Sequence, residues 1–139
     1  MNLAYVLDAW AMLAFLQAEE PAAIRVRQLL FEAQSQKANL FISIINLGEI
    51  YYRVGKVRGA REAEHTLDDL RRLPITIKSV EDADVLDAAN LKMSYTISYA
   101  DAFAVTLAQK LSAILITGDP EIEQLQDVIP LEMLQRARK

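Results

Sequence analysis

Cysteine is absent from the 139 residues, and histidine occurs once. The missing thiols exclude disulfides, thiol catalysis and Cys-based zinc sites, and fit a reducing compartment. The single His65 stands among Glu62, Glu64, Asp68 and Asp69 and is expected to face solvent. Glycine and proline number four each; no linker, repeat or low-complexity tract interrupts the chain, so one domain over residues 1–139 is expected. Apolar runs are broken by acids or polar residues well short of a membrane span. The opening Met-Asn-Leu-Ala-Tyr-Val-Leu-Asp lacks the basic start of a signal peptide. These absences point to a cytoplasmic protein with no membrane partner. A P-loop, a Gly-rich dinucleotide turn and a Gly-x-Ser-x-Gly elbow are missing too.

What is present is a globular composition, 53% hydrophobic and 24% charged. The net charge of −4 offers nucleic acid no overall attraction. Basic residues nevertheless gather at Arg53, Lys56, Arg58 and Arg61 with no acid between them, and at Arg136, Arg138 and Lys139. Screening confines such fields to about 8–10 Å, so a local basic patch can hold phosphates on an acidic protein. By charge pattern alone, a solvated helix face is the simpler reading.

Periodicity gives strands over 3–7, 39–43, 73–78 and 113–117, with a weaker one at 128–131. Helices are expected over 9–17 and over 21–36, with Pro21 as the first helical residue. Two more span 44–54 and 60–72, hinged near Gly55 and Gly59. Ser79 and Asp82 have capping-box spacing for a helix reaching Met93. Ala100, Phe103, Ala104, Leu107, Ala108 and Leu111 form a helical stripe, and a short helix starts at Pro120. Trp10, Phe15 and Phe31 read as core. Continuously apolar strands alternating with helices mean an α/β fold, three-layered, with a mainly parallel central sheet.

Four acids stand against this apolar framework: Asp8 and Asp119 just past predicted strands, Glu49 within a helix, and Asp101 near a helix start. Each has a structural explanation. The aspartates suit helix capping, and Glu49 can pair with Arg53 at i,i+4. As a set they suggest something else, because ligands of open α/β sheets bind beyond the carboxyl ends of the strands. Two carboxylates 4 Å apart repel by about 4 kcal/mol at an effective dielectric of 20. A cluster of four needs protons or a divalent cation, and the all-oxygen donor set favours Mg²⁺, with Mn²⁺ as substitute. Gly48 costs about 0.8–1 kcal/mol in a helix interior relative to Ala, a cost that close approach of another backbone or of substrate would explain. The run from Glu81 to Asp87 suits the start of a helix and is assigned no chemistry.

The segments Tyr5–Leu16, Ile42–Arg53, Ser98–Ala108 and Leu115–Glu121 resemble, in this order, the motifs of the PIN domain, and within it the VapC-type toxins. The resemblance covers nearly the whole chain. It implies an endoribonuclease dependent on Mg²⁺, with Asp8, Glu49, Asp101 and Asp119 as the acidic quartet that binds metal and catalyses hydrolysis. It further implies a homodimer, a small cognate antitoxin laid over the active-site groove, and a structured RNA substrate of the transfer or ribosomal class. Arg53, Lys56, Arg58 and Arg61 would track the RNA backbone. Trp10, Met12 and Tyr52 are candidates for an exposed groove that receives the antitoxin. One departure stands out: the family commonly places Ser or Thr after the first Asp, and here the residue is Ala9. Thr117 and Ser98 are the candidate supporting hydroxyls.

Two other readings compete. A catalytically degenerate PIN fold would bind RNA or protein without cutting. A receiver-like or phosphatase-like domain would use Asp8 as phosphoryl acceptor, but Ala9, Trp10 and Ala11 supply neither the second acid nor the basic partner of that chemistry.

Overall fold

Strands β1 (Leu3–Leu7), β2 (Ala38–Ser43), β3 (Thr76–Lys78), β4 (Ile114–Thr117) and β5 (Leu131–Met133) build one parallel sheet in the order β3-β2-β1-β4-β5. They belong to a computed structural model that describes residues 2–136, so the basic residues Arg138 and Lys139 lie outside the described residues. The helices are α1 (Ala9–Leu16), α2 (Ala22–Gln34), α3 (Ile44–Arg58), α4 (Ala60–Arg72), α5 (Asp82–Ser94) and α6 (Tyr99–Leu111), followed by a 3-10 segment, Pro120–Leu125. The expected three-layer α/β/α architecture is the one the chain adopts.

Successive strand residues point to opposite faces, and the core divides accordingly. Tyr5, Leu7, Leu40, Ile42 and Ile116 pack with α1, α2 and the inner sides of α3 and α4. Val6 and Leu115 pack on the other face with the alanine-rich side of α6, Ala88 of α5, and Ile122 and Leu125. Both faces of the sheet are thus covered, which is why its strands are apolar throughout. No helix among the described residues is long and apolar enough to cross a membrane.

Several local expectations are corrected. Helix α3 runs through Gly55 to Arg58, and the break comes at Gly59, whose φ of 93° lies where glycine is at ease. A β carbon at Gly55 would rest 3.5 Å from that of Ala63, an ordinary contact, so nothing there requires a hinge. Helix α5 is capped by Glu81, whose N–H donates to Asp84 Oδ2 at 2.9 Å, rather than by Ser79 with Asp82. Strand β5 starts after Pro130, later than expected, because Val128 and Ile129 still bond back to Leu125 and Pro130 has no N–H to donate. Phe31 is 73% exposed, since the stripe Val26, Leu29, Leu30 takes the buried side of α2. Met12, expected in an exposed groove, is fully buried.

Candidate metal centre

The chain leaves β1 toward β2 and β3 on one side and returns to pair β4 on the other. The carboxyl ends of β1 and β4 therefore form the point where the winding reverses, the place where such sheets leave a crevice. Asp8 stands there, one residue past β1, its N–H bonded to Ile116 O at 3.3 Å. It is fully buried and caps α1, with Oδ1 accepting from Ala11 N–H at 2.8 Å. Its Oδ2 accepts from the hydroxyl of Thr117, the last residue of β4.

The same hydroxyl accepts from Asp119 N–H at 3.0 Å, so Thr117 ties the first acid to the loop that carries the last. Asp119 in turn caps the 3-10 segment through Glu121 N–H, 3.0 Å away. Asp101 occupies the third position of α6, its N–H donating to Ser98 Oγ at 3.1 Å. One carboxylate oxygen from each of Asp101, Asp119 and Glu121 falls within 4.8 Å of the others. Glu121 was no part of the quartet expected from sequence. It reads there as an ordinary acid at a helix start, and only its pairing with Asp101 sets it apart. Glu49 lies on α3 with its side chain 15% exposed and its Oε2 3.3 Å from Arg53 Nε. The capping and ion-pair explanations therefore hold. Of the four expected acids the close group holds Asp101 and Asp119. Asp8 and Glu49 stand outside it, Asp8 near enough to repel Asp101 and Glu49 near enough to repel Asp8.

This nearness shows in their electrostatics. Burial pushes the Asp8 carboxyl up to about 7, the Thr117 and Ala11 hydrogen bonds oppose this, and Asp119 and Glu49 add repulsion. Asp101 is also raised, first by burial, then by Asp119 and Asp8. Crowded carboxyls of this kind hold protons at neutral pH or exchange them for a cation. The donors are carboxylate oxygens, with no thiol or imidazole among them, which suits a hard divalent ion.

The surroundings keep the acids in place. A β carbon on Gly118 would run into the ring of Trp10, so glycine lets this loop lie flat against α1 beside Asp8. Trp10 is half-buried, with the Arg136 guanidinium 5.9 Å from its ring centre. Ala9 is buried in the packed core, and the hydroxyl that reaches Asp8 comes from Thr117 instead. Gly48 is exposed, and a β carbon there would meet no described atom within 4 Å, so internal packing does not require it. Arg53, Lys56, Arg58 and Arg61 are all exposed. The first three line a groove of about 790 Å³ with Leu13, Leu16 and Tyr52, and Arg53 connects that groove to Glu49; Arg61 is not part of its wall.

The fold recurs in solved structures. The chain is similar to VapBC2 from Rickettsia felis bound to a promoter DNA fragment, at 18% identity and a TM-score of 0.73, covering 96% of this chain and 100% of that one. It is similar to the DNA-bound VapBC of Salmonella typhimurium, at 14% identity and a TM-score of 0.70, covering 94% and 97% of the two chains. It also resembles VapC20 from Mycobacterium tuberculosis, described as a sarcin-ricin loop cleaving toxin, at 15% identity and a TM-score of 0.69 over 86% and 93%. No curated protein sequence matches significantly. The family profile described as PIN domain matches residues 5–128. With that match over most of its length, the chain belongs to the PIN domain family.

Proposed function

We propose that this protein is a metal-dependent endoribonuclease that hydrolyses RNA phosphodiester bonds, and the toxin of a toxin–antitoxin pair. The observation that carries the reading is the grouping of Asp101, Asp119 and Glu121 at the winding reversal, with Asp8 tied to the Asp119 loop through Thr117 and with Asp8 and Asp101 both pushed toward protonation. In this reading Asp8, Asp101 and Asp119 hold Mg²⁺, with Mn²⁺ as substitute, and Glu121 adds a further oxygen. When bound, the ion supplies neutralising charge and a more acidic water. Glu49 holds the attacking water or takes its proton. Thr117 fixes the orientation of Asp8 by donating to Oδ2. Arg53, Lys56, Arg58 and Arg61 hold phosphates flanking the scissile one, and Gly48 leaves room for the RNA backbone beside Glu49.

The toxin assignment draws support from the VapBC complexes that share the fold. A structured substrate of the transfer or ribosomal RNA class is supported by the description of VapC20 as cutting the sarcin-ricin loop. One PIN domain spanning 1–139, a homodimer, a cytoplasmic location and a small antitoxin complete the proposal. Tyr52, 52% exposed in the groove, is the remaining candidate of the three for antitoxin contact there; Trp10 is half-buried against Gly118 and Arg136 and does not line that groove. Ala9 gives the degenerate, non-cutting alternative slight support, against which a hydroxyl does reach Asp8, from Thr117.

Purified protein is expected to cut structured RNA with Mg²⁺ or Mn²⁺, to stop with chelator, and to lose cleavage in Asp8→Asn and Asp101→Asn. Undiminished cleavage by both variants would sink the assignment. Co-purification with a small protein encoded beside it would identify the antitoxin.

A further inference from the structure

Asn46 lies one turn before Glu49 on α3 and is fully buried. Its Nδ2 donates to the carbonyl of Ala100 at 3.1 Å, the residue before Asp101 on α6. The side chain thus spans the seam between the helix that carries Glu49 and the helix that carries Asp101. A carbonyl cannot donate, so its partner must be Nδ2, and the orientation of the amide is fixed. Oδ1 is left as a buried acceptor with no hydrogen-bond partner among the described residues. Burying an acceptor this way is costly, and an apolar side chain of similar size would avoid the cost. Thr106 Oγ1 on α6 is also unpaired, but it lies more than a turn beyond Asp101 on α6, whereas Asn46 is bonded to the residue beside Asp101.

We propose that Asn46 is a positioning residue of the acid cluster. Its Nδ2 locks α3 to α6 at the spacing that Glu49 and Asp101 need, and its Oδ1, without a partner among the described residues, would accept from a water brought in by a bound cation. The proposal rests on the metal-centre reading above. Chemistry favours an amide in this role. Mg²⁺ keeps several of its waters, which need acceptors beyond the inner ligands. Another carboxylate would deepen the repulsion, whereas a neutral oxygen orients water without adding charge.

The test is Mn²⁺ binding to the full chain by titration calorimetry, without RNA. Asn46→Leu, which preserves volume and removes both polar atoms, is expected to weaken binding by about 10–100-fold. Asn46→Ser, which keeps a smaller acceptor, should fall between it and the wild type, and it carries the test if Asn46→Leu does not fold. Thr106→Val removes the other unpaired oxygen and should leave affinity within about twofold, a contrast that general loosening of α6 would not produce. Asp8→Asn separates this inference from the reading beneath it. If Asp8→Asn binds Mn²⁺ like the wild type, the metal centre itself is wrong. If Asp8→Asn loses binding while the folded Asn46 variants stay within twofold, the metal centre stands and the role of Asn46 is overturned.

Discussion

Asp84 and Asp101 are each 8% exposed, and each occupies the third position of a helix, α5 and α6 respectively. Their carboxyls nonetheless titrate in opposite directions. Asp84 accepts from Glu81 N–H at 2.9 Å and from Lys110 Nζ at 3.3 Å, and these hold it below the usual carboxylate range against the effect of burial. Asp101 gains a hydrogen bond from Ser98, but it is pushed upward, first by burial and then by Asp119 and Asp8. Overall exposure and helix position are matched, and burial raises both carboxyls. The cap and the lysine outweigh it at Asp84, whereas at Asp101 burial is the largest effect and the neighbouring acids add to it. An acid whose counter-ion is a lysine of its own chain is structurally complete. An acid surrounded by acids is stable only with a proton or with a cation from outside.

The largest expected break in this comparison is exchange of each acid for its amide. Asp101→Asn should lower RNA cleavage on the order of 10³-fold and, in chelator, raise the melting temperature by relieving repulsion. Asp84→Asn should do the reverse: lower the melting temperature and leave cleavage within about twofold, since only a cap and an ion pair are lost. Cleavage assays and thermal unfolding of both variants check this, and parallel behaviour of the two would end the distinction.

Titration sharpens it next. For Asp8, the folded carboxyl keeps its proton up to about 7 while the unfolded one releases it near 3.8. Between these values the native state binds more protons, so the stability this group contributes is fully present below 3.8 and is lost as pH rises toward 7. Asp101 acts in the same direction. Metal-free protein should therefore melt on the order of 5–10 °C lower at pH 8 than at pH 5. Saturating Mg²⁺ should remove most of that difference, which scans at both pH values will show.

Two glycines test the geometry with smaller effects. Gly118→Ala places a methyl in the Trp10 ring, costing about 1–3 kcal/mol as overpacking and moving Asp119, so both stability and Mn²⁺ affinity should fall. Gly48→Ala enters open space and should add up to about 1 kcal/mol of stability with Mn²⁺ affinity unchanged, while cleavage drops if RNA passes beside Glu49. Gain of stability with full cleavage would remove Gly48 from the substrate path.

The four acids stand out in the sequence because each interrupts or ends an apolar run, and a charge in that place demands a reason. The sheet was legible for a related cause: strands buried on both faces leave no alternation to misread. What stayed hidden depends on phase or on partners far along the chain. Every residue of α1 is apolar, so no periodicity tells Met12, buried, from Trp10, half-buried. Phe31 follows Leu29 and Leu30 directly, and one residue of helical phase separates core from solvent. The role of Thr117 requires β4 beside β1, and the unpaired oxygen of Asn46 requires α6 against α3; neither contact is local. Glu121 hides among acids that a helix start would attract in any case.

The central claim is that these acids form one metal site whose protons are exchanged for the cation. Calorimetric titration of Mg²⁺ into the protein at pH 6.5, repeated in buffers of different ionisation enthalpy, measures that exchange directly. The account predicts saturable binding with release of about one proton or more per ion, and loss of both binding and release in Asp8→Asn. Binding without proton release, or release that persists in Asp8→Asn, would contradict it.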